Sequence, residues 1–318
     1  MQQAVLKLSI IILFSLISFG LSAGPWYTGP LLAPSGHTIP KGHTNLEVYG
    51  FLTDNTGFYD RHGRLSRNTP HSNSITGVPI FTHGMTDKLD IQFIAPYIYN
   101  NFVGTRYHRL TDTSVTLGYQ VIEQGDSLWT PNLRFTVQEM IPTGKYELLS
   151  PLNNGTDVSG LGSYQTSANL NFQHLRQITE ISYLRTRLCL AYFYASKVTL
   201  HGANAYGGST NTIGNIKPGS LTSADLAAEY NITQNWVLVM EGFTIHRQAS
   251  NFKGFPGTTS TGILAPIGYS QIDETSIAPA LEYNFNESVG VIAGVWFSVK
   301  GREASRFNST VIALNAYW

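Results

Sequence analysis

The sequence predicts an all-β protein, a transmembrane antiparallel β-barrel of about 12 strands. Three observations lead to this prediction: an alternating strand at the end of the chain, a segment typical of export near its beginning, and a low content of charge. Of the 318 residues, 13% are charged and 12% are aromatic, whereas about 25% of the residues of an average soluble domain are charged. Such a surface suits lipid better than water.

The last strand alternates between two faces up to the terminal aromatic residue. One face holds Thr310, Ile312, Leu314, Ala316 and Trp318, and the other holds Ser309, Val311, Ala313, Asn315 and Tyr317. A soluble strand can alternate in the same way, but an aromatic girdle residue closing such a strand is typical of bacterial outer-membrane barrels. We expect this strand to be the signal that the barrel assembly machinery reads.

The beginning of the chain predicts export. Lys7 precedes an apolar run over residues 8–21, and small residues follow before Gly24, which is the layout of a secretory signal peptide. A retained membrane helix is the alternative, but the run is shorter than the roughly 20 residues that a span needs and Pro25 follows at once. We therefore assign residues 1–23 to a signal peptide and the mature protein to the bacterial outer membrane.

Residues 24–318 show no linker and are predicted to form one barrel domain. Four prolines in residues 24–42 exclude a central strand there, so this segment is predicted to be an extended arm. It either enters the lumen from the periplasm or is a flexible leader. A barrel of 12 strands lies between filled barrels of eight and open ones of sixteen, so an inserted arm could decide whether it conducts.

Runs of alternating residues predict the twelve strands and their connections. They lie near residues 43–55, 70–83, 88–99, 111–122, 130–141, 164–174, 179–194, 221–231, 235–247, 272–285, 288–299 and 305–318. Short turns alternate with long Gly/Asn/Ser-rich loops at 142–163, 195–220 and 248–271. Because outer-membrane barrels have short periplasmic turns and long external loops, these loops are predicted to be external and both termini periplasmic.

Strand parity predicts which charged side chains face the lumen. Asp90 alternates with the apolar Leu89 and Ile91, and other isolated charges lie between apolar neighbours in the same way. A charge on the lipid face near the midplane costs about 2 to 4 kcal/mol, so interior placement is favoured. The lumen-facing candidates are Glu47, Asp90, Arg134, Arg185, Arg187, Asp225, Glu229, Glu241 and Glu282.

These interior charges are expected to form a network across the lumen. In particular, the acidic pair Glu241 and Glu282 is expected to take its counter-charge from Arg134, Arg185 or Arg187. Two interpretations stay open: the ion pairs brace a filled barrel, or they line the path of a solute and set its selectivity.

Catalytic motifs are missing from the sequence. It has no nucleophile elbow, P-loop, zinc-protease helix or dinucleotide fingerprint, and its nine histidines are scattered. The single Cys189 excludes an internal disulfide, and no cofactor or metal is predicted. With a formal net charge of zero, the chain has no basic field for nucleic acid.

Four segments carry a family resemblance: Thr82 to Ile91, Pro142 to Lys145, Gly160 to Ser163, and Leu281 to Asn284. With them the chain resembles the MetA-pathway of phenol degradation family of bacterial outer-membrane transporters, over nearly all of its mature length. The resemblance implies an outer-membrane barrel with a transport role. It supplies no catalytic or binding residues, and the phenol in the family's name is not evidence for a substrate.

The sequence therefore predicts a porin-like or channel-type transporter of small solutes, aromatic or apolar ones among them, and not an enzyme. The expected partners are outer-membrane lipid, the assembly machinery and a small solute. A non-conducting structural or adhesive barrel is the alternative, and an outer-membrane lipid hydrolase comes third.

Deleting Trp318 tests the assembly signal. The deletion, or the change Leu314→Asp on the same face, is expected to deplete the folded, heat-modifiable species in outer-membrane fractions, because the terminal girdle is lost or a charge enters the lipid face. The matched control is Leu314→Val, which keeps the lipid face apolar. Normal levels of the Trp318 deletion would contradict the proposed signal.

Overall fold

A computed structural model describes residues 25–67, 70, 72–125 and 129–318, and it shows a closed antiparallel β-barrel. The predicted signal peptide lies outside the described residues. A single 3-10 turn at Pro151–Asn153 is the one helical element among the described residues. None of the described chain forms a helix with the length and hydropathy of a membrane span.

The described residues form eighteen strands, and most of them build the barrel wall. They are β1 (Thr44–Tyr59), β2 (Leu65–Ser66), β3 (Ser72–Thr86), β4 (Leu89–Ile94), β5 (Tyr97–Phe102), β6 (Thr105–Leu110), β7 (Thr113–Ile122), β8 (Asn132–Ile141), β9 (Gln165–Gln177), β10 (Tyr183–Ala195), β11 (Val198–His201), β12 (Ile213–Lys217), β13 (Leu221–Asn231), β14 (Trp236–Arg247), β15 (Asn251–Phe255), β16 (Ile272–Asn284), β17 (Val289–Arg302) and β18 (Ala304–Tyr317).

The wall has twelve strands, as the sequence predicts. Two of them are built from two segments each, β4 with β5 and β6 with β7. Both β4 and β5 pair with β3, and they pair in turn with β7 and β6. The wall order is β1, β3, β4/β5, β6/β7, β8, β9, β10, β13, β14, β16, β17, β18. Pairing of β1 with both β3 and β18 closes the barrel, and only the short segment β6 pairs on one side alone, with β5, among the described wall strands.

The interruption of the third and fourth wall strands was not predicted. The sequence indicated single runs at 88–99 and 111–122, whereas the wall breaks at residues 95–96 and 111–112 and continues beyond them as the hairpin of β5 and β6. Pro96 explains the first break because proline has no N–H to donate to the ladder. Its carbonyl still accepts a hydrogen bond of 2.9 Å from the Thr111 N–H, which keeps the two breaks side by side.

The outward face of the wall is an apolar belt. Large apolar side chains on this face are roughly half exposed, and they include Val48, Leu52, Phe81, Phe93, Leu117, Val137, Leu170, Leu190, Leu226, Leu238, Leu281, Val295, Ile312 and Leu314. Towards the end with short turns, the rings of Trp236 and Tyr283 pack at 4.7 Å, and Phe285 packs on Tyr283. A belt bordered by aromatic side chains is the exterior of an outer-membrane barrel.

The three long connections form one cap at the other end of the barrel. The strands β11, β12 and β15, which belong to two different loops, pair in a small separate sheet around buried Leu200 and Ile216. The first long loop joins this cap through the hydrogen bond from Leu149 N–H to the Ala203 carbonyl. It is held internally by Lys145 and Asp157, whose charged atoms lie 2.8 Å apart.

Cysteine labelling checks which end of the barrel is external. Ser260 in the third long loop and Glu180 in a short turn are exposed, while the single native cysteine, Cys189, is buried. In intact cells a membrane-impermeant maleimide is expected to label the Ser260→Cys variant and not the Glu180→Cys variant. The reverse pattern would show that the orientation is wrong. Labelling of both after the outer membrane is broken is the control.

Candidate functional site

The nine charged residues predicted to face the lumen all lie on its inner side. Glu47 is half-buried, and the other eight are no more than 9% exposed. Their alternate neighbours belong to the apolar belt, so strand parity explains the placement. The structure brings these charges together in two ion-pair groups and leaves four of the acids, Glu47, Asp225, Glu241 and Glu282, outside ion pairs among the described residues.

The first ion-pair group joins two arginines to one carboxylate. On the neighbouring strands β10 and β13, Arg185 donates to both oxygens of Glu229, and its Nε lies 2.6 Å from Oε2. Arg187 Nε lies 3.3 Å from the same Oε2. Since Glu229 is fully buried, its charge is compensated by these two guanidinium groups rather than by water.

The second ion-pair group joins β4 and β8, and only β9 separates β8 from β10 of the first group. Arg134 Nη2 lies 2.5 Å from Asp90 Oδ1, and both side chains are buried. Strand β7 lies between the strands of Asp90 and Arg134 and carries Gly118. A Cβ atom at Gly118 would come within 2.4 Å of both side chains. Glycine at this position leaves the room that the pair needs.

Glu241 and Glu282 bind the backbone of the N-terminal arm, the segment of residues 25–42. Glu282 accepts hydrogen bonds from the N–H groups of Thr28 and Gly29, and Glu241 accepts them from Leu32 and Ala33 at 2.9 to 3.1 Å. The arm therefore lies inside the barrel. Among the described residues neither acid forms an ion pair with Arg134, Arg185 or Arg187, although the charges of Arg185 and Arg187 act on Glu282 and Glu241 from a distance. Parity predicts the face of a side chain but not its contact partner.

Further along, the arm crosses to the opposite side of the lumen. The Thr38 N–H donates to Gln120 Oε1 at 2.8 Å, and the Ile39 N–H donates to Asp90 Oδ2 at 3.1 Å. Its backbone then passes so close to Gly84 that a Cβ atom there would come within 2.0 Å of the Pro40 carbonyl oxygen. Side chains of at least four wall strands, β16, β14, β7 and β4, thus hold one short segment.

Apolar contacts add to these hydrogen bonds. Leu31, 3% exposed, packs in a cluster with Val237, Val239, Ala278, Ile292, Val311 and Ala313 of the wall. The ring of Tyr27 lies 4.0 Å from the guanidinium carbon of Arg185. Burial raises the pKa of the Tyr27 hydroxyl above its usual range, so the ring stays neutral beside the luminal acids.

Sequence reasoning missed the polar residues that hold the arm. Gln120, Gln173 and Asn284 all contact it: Gln173 Oε1 accepts from the Gly36 N–H at 3.4 Å, and Asn284 Nδ2 donates to the Trp26 carbonyl at 3.0 Å. Each faces inward by parity, so the same alternation that identified the charged residues could have identified these amides.

Above the arm the lumen holds a cavity of about 780 Å³ with two unlike sides. The aromatic wall consists of Tyr49, Phe51, Phe243 and Trp296 on β1, β14 and β17, with the Trp296 ring 6.3 Å from Phe51 and 6.4 Å from Phe243. The polar wall consists of Thr116, Thr136, Gln138, Gln165 and Asn169 on β7, β8 and β9. The two arcs lie on opposite sides of the barrel.

A second cavity of about 650 Å³ lies nearer the cap formed by the long loops. Met140 and Leu161 line both cavities and so mark the boundary between them. Asp112 holds this boundary in place by accepting hydrogen bonds from the N–H groups of Gly144 at 3.0 Å and Leu161 at 2.9 Å. Burial raises the pKa of the Asp112 carboxyl, and these two donors oppose the shift.

Acidic residues outnumber basic ones among the charges of the lumen. Of the nine predicted residues six are acidic and three are basic, which gives a net charge of −3 when all are ionised. Within the ranges that the structure describes, no group of three or more His, Cys, Asp or Glu side chains is arranged to hold a metal ion. The arrangement is suited to binding and guiding a solute, with an apolar body on one side and hydrogen-bonding groups on the other.

Removing Glu229 tests the first ion-pair group. Glu229→Ala would leave Arg185 and Arg187 buried without their carboxylate, so we expect a loss of about 3 to 5 kcal/mol in the free energy of unfolding, measured by urea titration in lipid vesicles. The exposed Glu180→Ala variant is the control and should unfold as the wild type does. An unchanged Glu229→Ala midpoint would show that water already compensates these arginines.

Comparison with known proteins supports the fold. No family model matches the chain, and no curated protein matches it. Among solved structures it is similar to an outer membrane channel from Pseudomonas putida F1, with 15% sequence identity, a TM-score of 0.69, and 90% of this chain and 100% of that chain covered. A TodX monoaromatic hydrocarbon channel mutant (12% identity, 94% and 96% covered) and the NanC porin (11%, 85% and 98%) have TM-scores of 0.45 and 0.42. The similarity to the Pseudomonas putida channel shows that the chain has the fold of a bacterial outer-membrane channel.

Proposed function

We propose that the protein is an outer-membrane channel for small solutes that carry an apolar or aromatic body. The observation that supports this most directly is the luminal cavity between the aromatic wall and the polar wall. An aromatic wall binds an apolar body through dispersion and ring contacts. The polar wall opposite offers amide and hydroxyl groups that a solute can use in place of water.

The two cavities in series suggest the route. A solute entering from outside reaches the cavity under the cap, passes Met140 and Leu161, and arrives between the two walls. Methionine is flexible, and both boundary residues are apolar, so this passage favours solutes that shed their water easily. The arm then occupies the periplasmic half of the lumen and limits what passes further.

The arm therefore controls the conductance of the channel in this proposal. Refolded full-length protein in planar bilayers is expected to give small single-channel steps. Deleting residues 28–39 is expected to increase the step size severalfold, because the segment bound by Glu241 and Glu282 no longer fills the lumen. The recording measures both forms under the same salt and voltage.

A point substitution separates arm displacement from damage to the barrel. Leu31→Asp places a charge in the apolar cluster that anchors the arm and should raise conductance like the deletion. Its matched control, Ile263→Asp in an external loop where the side chain is 68% exposed, should leave conductance unchanged. Silence of every form, with the barrel folded, would contradict the channel and favour the structural or adhesive alternative. Breakdown of the bilayer lipid would favour a hydrolase.

Membership of the MetA-pathway of phenol degradation family stays a prediction. It is supported by the four segments that carry the resemblance and by the similarity of the whole chain to an outer membrane channel. Assembly through the C-terminal strand likewise stays a prediction, supported by the pairing of β18 with β1 at the seam.

A further inference from the structure

One buried carboxylate in the lumen has no partner in either ion-pair group or in the arm. Asp225 on β13 is 4% exposed and lines the cavity, and its Oδ1 has no hydrogen-bond partner among the described residues. The neighbouring arginines, Arg185 and Arg187, are directed to Glu229 instead. A buried carboxylate without donors is costly, so this group is one that a ligand could satisfy.

The surroundings of Asp225 combine acceptors with an aromatic ring. On the neighbouring strand β14, Asp225 is paired with Phe243 of the aromatic wall. On the other neighbour, β10, it is paired with Cys189. Cα partners of this kind have Cβ atoms about 5 Å apart, so the ring and the carboxylate face the same space. Beyond Cys189 lies Asn171, 1% exposed, whose Oδ1 also has no partner within the described chain.

We propose that Asp225 and Phe243 form a binding site for a small organic cation, an ammonium group on an apolar or aromatic body. The ammonium N–H groups donate to the carboxylate of Asp225, while the body packs on the aromatic wall. This inference rests on the proposed channel function and adds to it the chemical class of the solute and the residue that selects it.

The charge of the lumen decides between a cation and other solutes. An anion would add a negative charge beside Asp225 and close to Glu241, in a lumen where acids outnumber bases among the nine charged residues. A neutral alcohol could donate one hydrogen bond but would bring no opposite charge to the carboxyl group. An ammonium ion supplies both donors and the opposite charge, and aromatic rings attract cations as well.

Calorimetric titration of the refolded protein in detergent tests the site without requiring conduction. Benzylammonium is the probe, with benzyl alcohol and benzoate as the neutral and anionic probes of the same size. The wild type is expected to bind benzylammonium at least 10-fold more tightly than either of the others. Asp225→Asn, which keeps the shape and removes the charge, is expected to lose at least 10-fold in affinity for benzylammonium.

Two further variants make the result specific. Asp273→Asn removes a carboxylate at the outer rim, where Asp273 already pairs with His246 and Arg302, and should bind benzylammonium as the wild type does. Phe243→Leu should weaken benzylammonium binding more than methylammonium binding, since only the former has a body for the aromatic wall. Asp225→Asn and Phe243→Leu must first show the heat-modifiable folded form. If Asp225→Asn does not fold, Asp225→Ser is used in its place.

The outcomes separate the site from the channel. Equal benzylammonium affinity in the wild type and the folded Asp225 variant would overturn the site, and equal binding of benzyl alcohol would overturn the requirement for a cation. Conductance steps in planar bilayers without such binding would support the channel and contradict the binding site. Binding that depends on Asp225 in a barrel without conductance would support the binding site and contradict the channel.

Discussion

A carboxylate buried inside a barrel must find donors that water would otherwise supply, and the structure of this protein depends on how that need is met. Two arginines form ion pairs with Glu229, and Arg134 forms one with Asp90. Glu241 and Glu282 accept hydrogen bonds from backbone N–H groups of the arm. Because an unsatisfied buried carboxylate costs several kcal/mol, the arm is part of the folded barrel and its position is set by the wall.

This coupling explains why the arm is rich in proline. Proline cannot donate a backbone hydrogen bond, so Pro25, Pro30, Pro34 and Pro40 keep the segment from adding a strand to the wall. The N–H groups that remain, such as those of Leu32 and Ile39, are free to meet luminal side chains. The same composition that excludes a strand thus makes the segment a ligand for its own barrel.

The wall could be predicted from the sequence and the interior only in part. Alternation with a period of two decides the face of most wall side chains, which is why the inward position of Glu241 and the outward position of Leu314 follow from parity alone. The partner of Glu241 does not follow, because Leu32 and Ala33 are more than 200 positions away and their backbone N–H groups carry no sequence signal. Pro96 in the sequence could have predicted the break in the third wall strand. The hairpin of β5 and β6 beyond it could not be predicted in the same way, because it has no long apolar alternation.

The two unlike sides of the lumen follow from where the arm lies. Leu31 covers the lower part of the wall formed by β14, β16, β17 and β18 with apolar contacts, and the aromatic rings continue the same apolar surface above it. On the opposite arc the polar side chains bond largely to one another, as Asn169 does to Thr136 at 2.9 Å. What remains for a solute is the small set of groups that neither the arm nor a neighbour satisfies. Asp225 is the charged acceptor in that set, and it lies where the aromatic arc ends, so a molecule with both an apolar body and a donor can contact both surfaces at once.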